Sequence, residues 1–245
     1  MIRLKLISHS TSKIQREHVS AWIYSYLSKQ YHDEGLAKFN NGQGVKAHNF
    51  SFPSNKIIKN GEIFIIEIRG LQFIENVLFD RIELYNNIKL GNMEAVVIYK
   101  EMLPTPIKSK FVLKSPAIVR LSAKRELNFK RWGNKYYYLT PFENKEMWEQ
   151  EIVTKLKRRI ALIFDQDENE LPDFKVKISQ MSISSPVLHV NDHTLKMRAT
   201  RGIIEVEGDD FWKDIVFRMG IGEFNAYGFG ILDGVNNPMT KVMGL

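Results

Sequence analysis

The order of apolar periodicities along the chain constrains its fold more than any other feature. In the first hundred residues the spacing of apolar residues changes from that of a strand to that of a helix, then to two strands, a second helix and a closing strand. The predicted elements cover residues 2–6, 19–27, 49–52, 62–68, 73–82 and 93–99. This is the order of the split βαβ, or ferredoxin-like, unit. An Asn60-Gly61 pair before the third strand predicts a hairpin turn.

The same order returns in the second half of the chain, after a proline-containing connection at residues 104–106. The predicted strands and helices there cover residues 111–121, 136–138, 144–163, 174–178, 195–206, 211–219 and 231–232. Phe211 is expected on the buried face of the last helix, and Gly220 is expected to end it. We therefore predict an α+β fold of two tandem ferredoxin-like (βαββαβ) domains, residues 1–105 and 106–245.

The composition limits the functions that the chain can have. It contains 35 basic and 28 acidic residues, a net charge of +7 and a pI of about 9.4, and this excess favours a polyanionic partner such as nucleic acid. It contains no cysteine, which excludes disulfides, thiolate nucleophiles and zinc sites that need sulfur. No apolar run is long enough for a membrane span, and the first residues lack a secretory signal, so we expect a cytoplasmic protein with no membrane partner.

The most specific motif is GIGEFNAYGFG at residues 220–230. It leaves a helix and enters a strand, so it is not a dinucleotide-binding fingerprint, and it lacks the Gly-Lys-Ser/Thr of a P-loop. Its four glycines can adopt positive φ angles and let backbone N–H groups approach phosphates closely. The other interpretation is a tight connector that combines a helix C-cap with a strand bulge.

This motif and the preceding RGIIEVEGDD at residues 201–210 resemble the C-terminal signature of CRISPR-associated endoribonucleases that mature guide RNA, the Cas-six family of the RAMP superfamily. LKSPAIVR at 113–120 and KAHNFSFPS at 46–54 resemble further segments of the family, so the resemblance extends along nearly the whole chain. It implies two ferredoxin-like domains that bind CRISPR repeat RNA. It also implies metal-independent cleavage without a cofactor, in which a 2′-hydroxyl attacks the adjacent phosphate and leaves a 2′,3′-cyclic phosphate and a 5′-hydroxyl.

The resemblance also implies the catalytic residues. Tyr24 stands where members with a Tyr, His, Lys trio have a tyrosine on the first helix, and its hydroxyl should face outward because it lies off the predicted buried stripe. His32 matches the histidine that follows this helix, and Lys46 matches the lysine before the Asn-Phe-Ser strand. We assign His32 as general acid/base, Tyr24 as proton partner or orienting group, and Lys46 as electrostatic stabiliser of the phosphate. His48 is the rival histidine because it lies in the same loop.

Two sets of residues are predicted to contact RNA. The glycine motif would offer backbone N–H groups and one side-chain amide, from Gly220, Gly222, Asn225, Gly228 and Gly230. The segment SAKRELNFKRWGNKYYY at 122–138 mixes cations with aromatic rings, which suits phosphate pairing and base stacking, through Lys124, Arg125, Lys130 and Arg131. KLKRR at 155–159 is either a further contact or a solvated helix face. Where many relatives carry a cation in the glycine motif, this chain has Glu223, and we expect its carboxylate to repel phosphate.

A non-catalytic RAMP-type RNA-binding subunit of a CRISPR effector complex is the alternative function, although such a subunit would not need the Tyr24, His32 and Lys46 set. A generic two-module RNA-binding protein should carry the RNP aromatic pattern, which the sequence lacks. Effector-complex proteins and a second copy of the chain are further candidate partners. His189 and His193 are four residues apart, but their strand-like surroundings do not form a zinc-binding helix, so no metal site is expected.

Overall fold

The structure, a computed structural model, describes residues 1–33, 47–53, 56–122, 136–190 and 193–234. Across these ranges, no helix is both long enough and apolar enough to cross a membrane.

The N-terminal unit contains a five-stranded antiparallel sheet in the order β3-β5-β1-β7-β6. Its strands are β1 (Ile2–Ser8), β3 (His48–Ser51), β5 (Ile63–Gly70), β6 (Asn87–Leu90) and β7 (Met93–Met102). Two short strands, β2 (Ser12–Lys13) and β4 (Ile57–Ile58), pair with each other. Helix α1 (Arg16–Asp33) connects β2 to β3, and α2 (Gln72–Arg81) follows β5. The order β1, α1, β3, β5, α2, β7 is ferredoxin-like.

The period-2 alternation of β1 decides which face of this sheet is buried. Ile2, Leu4 and Leu6 are fully buried, whereas Arg3 and Lys5 face outward between them. The residues of α1 that belong to the same core have the predicted helical spacing, and they are Val19, Trp22, Ile23 and Leu27. Burial of each such side chain contributes about 1.5–3 kcal/mol, so helix and sheet stabilise one another.

The C-terminal unit repeats the arrangement around a four-stranded sheet in the order β11-β14-β8-β15. Its strands are β8 (Lys110–Leu113), β11 (Lys175–Ser184), β14 (Ala199–Glu207) and β15 (Leu232–Gly234). Its helices are α3 (Lys145–Phe164) and α4 (Asp210–Met219). Two hairpins are added, β9 (Val119–Ser122) with β10 (Tyr136–Leu139), and β12 (Val187–Val190) with β13 (His193–Lys196). The predicted α+β fold of two ferredoxin-like units is confirmed, and the predicted division between residues 105 and 106 stays a proposal.

Local signals set the helix ends of the C-terminal unit. The Asn144 side chain accepts a hydrogen bond from the Met147 N–H at 2.9 Å and begins α3. Asp209 does the same for the Trp212 N–H at 3.0 Å and begins α4. Gly220, with φ of 71°, ends α4 as its position predicts.

Two predicted details are wrong. Asn60 and Gly61 form a turn, but β4 before it pairs with β2, whereas β5 after it lies between β1 and β3, so there is no hairpin. In the five-stranded sheet β5 is an internal strand, and its pairing with β1 and β3 prevails over the local turn signal. Phe211 is 40% exposed, because the helical period directs Trp212 and Ile215 into the core instead.

Ionic contacts hold the two units together. Glu75 on α2 is 1% exposed, accepts a hydrogen bond from the Gly70 N–H at 3.0 Å and pairs with Arg218 of α4 at 2.7 Å. Arg69 at the end of β5 donates to the Leu232 carbonyl of β15. Because these charged groups are buried and each has a partner, separating the two units would expose unpaired charges, which fixes their relative orientation.

Candidate functional site

Residues 220–230, the glycine loop, form a compact turn between α4 and β15. All four glycines have positive φ angles of 66–76°. Each of them also lies against a backbone carbonyl oxygen, which an added Cβ would approach within 2.7 Å. A Cβ at Gly230 would overlap the carbonyl oxygen of Ile221, and a Cβ at Gly222 would overlap that of Ile118. Both the conformation and the close packing therefore require glycine.

Most backbone N–H groups of the glycine loop donate hydrogen bonds within the protein. Those of Ile221, Glu223, Tyr227, Gly228, Phe229 and Gly230 bond carbonyl oxygens at 2.7–3.4 Å. The Asn225 side chain is 3% exposed, and its amide donates to the carbonyls of Ile221 at 3.1 Å and Phe229 at 2.9 Å. The loop is thus a closed structural element with few N–H groups left for a phosphate. RNA contact stays a prediction, and this geometry does not favour it, for Gly220, Gly222, Asn225, Gly228 and Gly230.

The glycine loop also joins the two units. The Asn49 amide of β3 donates to the Phe229 carbonyl at 3.1 Å. The guanidinium of Arg16, at the first residue of α1, donates to the carbonyls of Gly228 at 2.6 Å and Tyr227 at 3.3 Å. The first helix and the edge strand of the N-terminal sheet are therefore fixed against the C-terminal unit.

Arg16 is held in an aromatic environment. Its guanidinium carbon lies 4.6 Å from the ring centroid of Phe229 and 5.6 Å from that of Phe52, within cation–π range. Burial lowers the pKa of Arg16 to about 10, so the side chain stays positive at neutral pH.

Glu223 does not present a free carboxylate, which removes the basis for the expected repulsion of phosphate. Its carboxylate pairs with Arg120 of β9 and with Lys155 of α3, the latter at 2.5 Å. Burial raises the pKa of Glu223, but the charges of Lys155 and Arg120 lower it to a greater total extent, so it stays ionised. Arg159 of α3 donates to the Gly222 carbonyl at 2.8 Å. In KLKRR, therefore, Lys155 and Arg159 bind the glycine loop, a role that neither interpretation of the sequence included.

One family of known proteins matches the chain over residues 100–234, and its description is "CRISPR associated protein Cas6, C-terminal". The match covers more than half of the chain and includes the glycine loop. The chain belongs to the Cas6 family. No curated protein sequence gives a significant match.

Solved structures of Cas6 and related proteins share the whole fold. One described as CRISPR associated protein Cas6 has a TM-score of 0.66, 20% identity, and coverage of 96% of this chain and 98% of that chain. The product of a Cas6-related gene from Pyrococcus furiosus has a TM-score of 0.70 and 16% identity over 96% and 98% of the two chains. A RAMP protein described as binding different RNA substrates has a TM-score of 0.69 and 15% identity over 96% and 99%. At these identities the similarity concerns the fold.

The structure describes the candidate catalytic residues of this Cas6 protein only in part. Tyr24 is half-buried and packs against the core, so it is less exposed than its position off the stripe predicts, and burial raises the pKa of its hydroxyl. His32 lies in the last turn of α1, but its side chain lies outside the described part of the chain, as does Lys46 entirely. At 1.5 Å per residue, Tyr24 and His32 are about 12 Å apart along the helix axis.

His48, the rival histidine, is the first residue of β3 and is 1% exposed. In the sheet it is paired with Gly70, whose N–H donates a hydrogen bond to the buried Glu75. A general acid or base must come within hydrogen-bond reach of the substrate. The burial of His48 therefore favours His32 over it, and the assignment of His32 stays a prediction.

The predicted basic RNA-binding residues, Lys124, Arg125, Lys130 and Arg131, lie outside the described residues. The strands on either side of them, β9 and β10, pair from Tyr136↔Ser122 to Leu139↔Val119. Arg120 on β9 is the residue that pairs with Glu223. The base of this basic hairpin is therefore attached to the glycine loop.

Sequence reasoning missed several cations that converge near the glycine loop: Lys13, Arg16, Arg120 and Arg201. They come from distant parts of the sequence and from both units. No local pattern distinguishes them, because each is a single basic residue in or beside an ordinary strand or helix.

Proposed function

We propose that this Cas6-family protein is a metal-independent endoribonuclease that cuts CRISPR repeat RNA. The observation that carries the proposal is the family match over residues 100–234. The doubled ferredoxin-like fold supports it, as do the cations that gather where the two units meet. Precursor CRISPR RNA is the substrate class that the family relationship implies.

Electrostatics supports an RNA partner. The chain has a net charge of +7, and single-stranded RNA binding gains free energy when cations replace condensed counterions on phosphates. A protein with a similar fold is described as a RAMP protein binding different RNA substrates. CRISPR effector proteins and a second copy of this chain are further partners that the family relationship suggests.

The chemistry needs few protein groups. The attacking 2′-hydroxyl is already adjacent to the phosphorus, so the enzyme must align it, transfer two protons and stabilise the developing charge. We assign proton transfer to His32 and charge stabilisation to Lys46. Because Tyr24 lies about 12 Å from His32 along α1, we assign it to orienting the strand beside the scissile phosphate.

The test is incubation with end-labelled CRISPR repeat RNA in the presence of EDTA. Wild type should cut at one position and leave a 2′,3′-cyclic phosphate, at a rate that EDTA does not change. His32→Ala should slow cleavage of bound RNA about 100-fold or more, within the usual contribution of a general acid/base. The matched control is His9→Ala, which replaces an exposed histidine near the end of β1 and should leave the rate unchanged.

A non-catalytic RNA-binding subunit of a CRISPR complex is the second candidate. The burial of His48 and the half-burial of Tyr24 favour it, because both remove titratable groups from the surface. Tight, repeat-specific binding without cleavage would support this subunit against the nuclease. Failure to prefer repeat RNA over an unrelated RNA of equal length would contradict both.

A further inference from the structure

A cavity of about 430 Å³ lies between the two units at the start of α1. Its lining includes the cations Lys13, Arg16 and Arg201 and the apolar residues Phe52, Pro116 and Pro186. Arg16 and Phe52 are neighbours, with the guanidinium carbon 5.6 Å from the ring centroid. The volume falls within the usual range for small-molecule sites and can hold one nucleotide.

The cations of this cavity are not neutralised as those around Glu223 are. Within the described ranges, Arg16 and Arg201 donate hydrogen bonds to carbonyl oxygens, not to carboxylates. Burial has the largest effect on the pKa of Arg16 and lowers it, attraction to Glu17 raises it, and repulsion from Arg201 lowers it further. The cavity also contains the Glu17 carboxylate, which accepts a hydrogen bond from the His189 backbone N–H and so bridges the units. The lining therefore has three cations against one anion.

Two uncharged features add to the positive potential. The cavity wall includes Gln15, Arg16 and Glu17, where α1 begins, and the first turn of a helix has N–H groups without intrahelical partners. The hydroxyl oxygen of Ser184 in the wall is buried and has no hydrogen-bond partner among the residues that the structure describes. A bound anion could accept from such donors.

We propose that this cavity binds one nucleotide of the RNA strand, with its phosphate between Lys13, Arg16 and Arg201 and its base or ribose against Phe52. The proposal rests on the proposed function. The cavity lies at the start of the helix that carries Tyr24 and His32, about 12 Å and 24 Å further along its axis. A strand that follows α1 from this subsite would pass Tyr24, one of the candidate catalytic residues, which favours RNA over a free anion.

The test compares the double variant Lys13→Gln/Arg201→Gln with Lys175→Gln. Lys175 is an exposed cation at the opposite end of β11 from Ser184, about 30 Å away at 3.3 Å per residue. Repeat-RNA affinity is measured over a series of salt concentrations. The double variant should bind about 10-fold more weakly, and the slope of log K against log salt should decrease in magnitude by about 0.7, the value for one phosphate contact on a single strand.

The control should show the wild-type affinity, slope and single-turnover cleavage rate. Wild-type affinity and slope in the double variant would overturn the subsite while leaving the proposed function intact. If wild type binds no RNA at all, the proposed function fails. Calorimetry with inorganic pyrophosphate then shows whether the cavity binds a free phosphate ligand or binds no anion. Pyrophosphate binding that the double variant loses would mean a site for a free phosphate ligand, and no binding would mean no site. Either result overturns the RNA assignment.

Discussion

Two clusters of cations flank the glycine loop, and they differ in what balances their charge. On the C-terminal side, Arg120 and Lys155 share the carboxylate of Glu223. On the side of the interdomain cavity, Arg16 and Arg201 have carbonyl partners instead. The first cluster is satisfied within the protein, whereas the second retains the capacity to attract an anion.

This difference indicates that one cluster has a structural role and the other a binding role, although both lie where the two units meet. Losing a half-buried carboxylate such as Glu223 from between two cations is destabilising, since its removal leaves like charges together. Arg16 also fixes α1 to the glycine loop, whereas the exposed Arg201 contributes little to folding but raises the local potential for a polyanion. The paired cluster should therefore respond to mutation in stability, and the open cluster in salt-dependent binding.

The largest expected effect concerns the loop that both clusters contact. Gly230→Ala should lower the free energy of unfolding by about 3 kcal/mol or more, because a Cβ would overlap the Ile221 carbonyl oxygen in addition to the strain of φ at 66°. Gly61→Ala is the matched control, since Gly61 has φ of 78° but no atom within 4 Å of a Cβ. It should cost about 1 kcal/mol. If urea unfolding shows that both variants lose the same free energy of unfolding, the glycine loop adjusts to the added Cβ and does not fix the contact between the two units.

A smaller loss is expected when the paired cluster is broken. Glu223→Gln keeps the shape of the side chain but removes the negative charge that pairs with Arg120 and Lys155, and should cost about 2 kcal/mol in chemical unfolding. Glu205→Gln removes a carboxylate that pairs with Lys110 at 3.7 Å on the surface, and should change stability by less than about 0.5 kcal/mol. If the two variants are equally stable, the ion pairs of Glu223 contribute no more to folding than a surface pair does.

The element order of both units could be predicted from the sequence because period-2 and period-3.6 patterns report local burial. The sequence did not predict that β2 pairs with β4, nor the added strands β6 and β12. Such short strands form because a partner strand lies beside them in the folded protein, and the local sequence does not show this. The exposure of Phe211 shows the same limit, since its neighbour Trp212 occupies the core.

For the site, the sequence identified the glycine loop and left two roles open, a phosphate contact and a tight connector, of which the hydrogen bonds within the loop favour the second. Four glycines predict positive φ angles, and these are confirmed. Whether the N–H groups of this loop face solvent depends on Pro116 and Ile118, about a hundred residues away in sequence, whose carbonyls accept from the N–H groups of Gly230 and Glu223 respectively. The cluster of cations at the cavity could not be predicted from the sequence either. Lys13 and Arg201 are far apart in the chain and line the same cavity only after both units have folded.

The smallest expected effect comes from Arg201→Gln. It tests the comparison of the two clusters most directly, because the same substitution, Arg→Gln, can be made in each cluster. Arg120→Gln removes a partner of Glu223 and should cost about 2 kcal/mol. Arg201→Gln should change the free energy of unfolding by less than about 0.5 kcal/mol, and at low salt it should slightly stabilise the protein by relieving repulsion of Arg16. At about 1 M salt, where the Debye length is about 3 Å, this gain should vanish. Thermal unfolding at both salt concentrations measures it, and a loss above about 1 kcal/mol for Arg201→Gln would place Arg201 among the structurally paired cations.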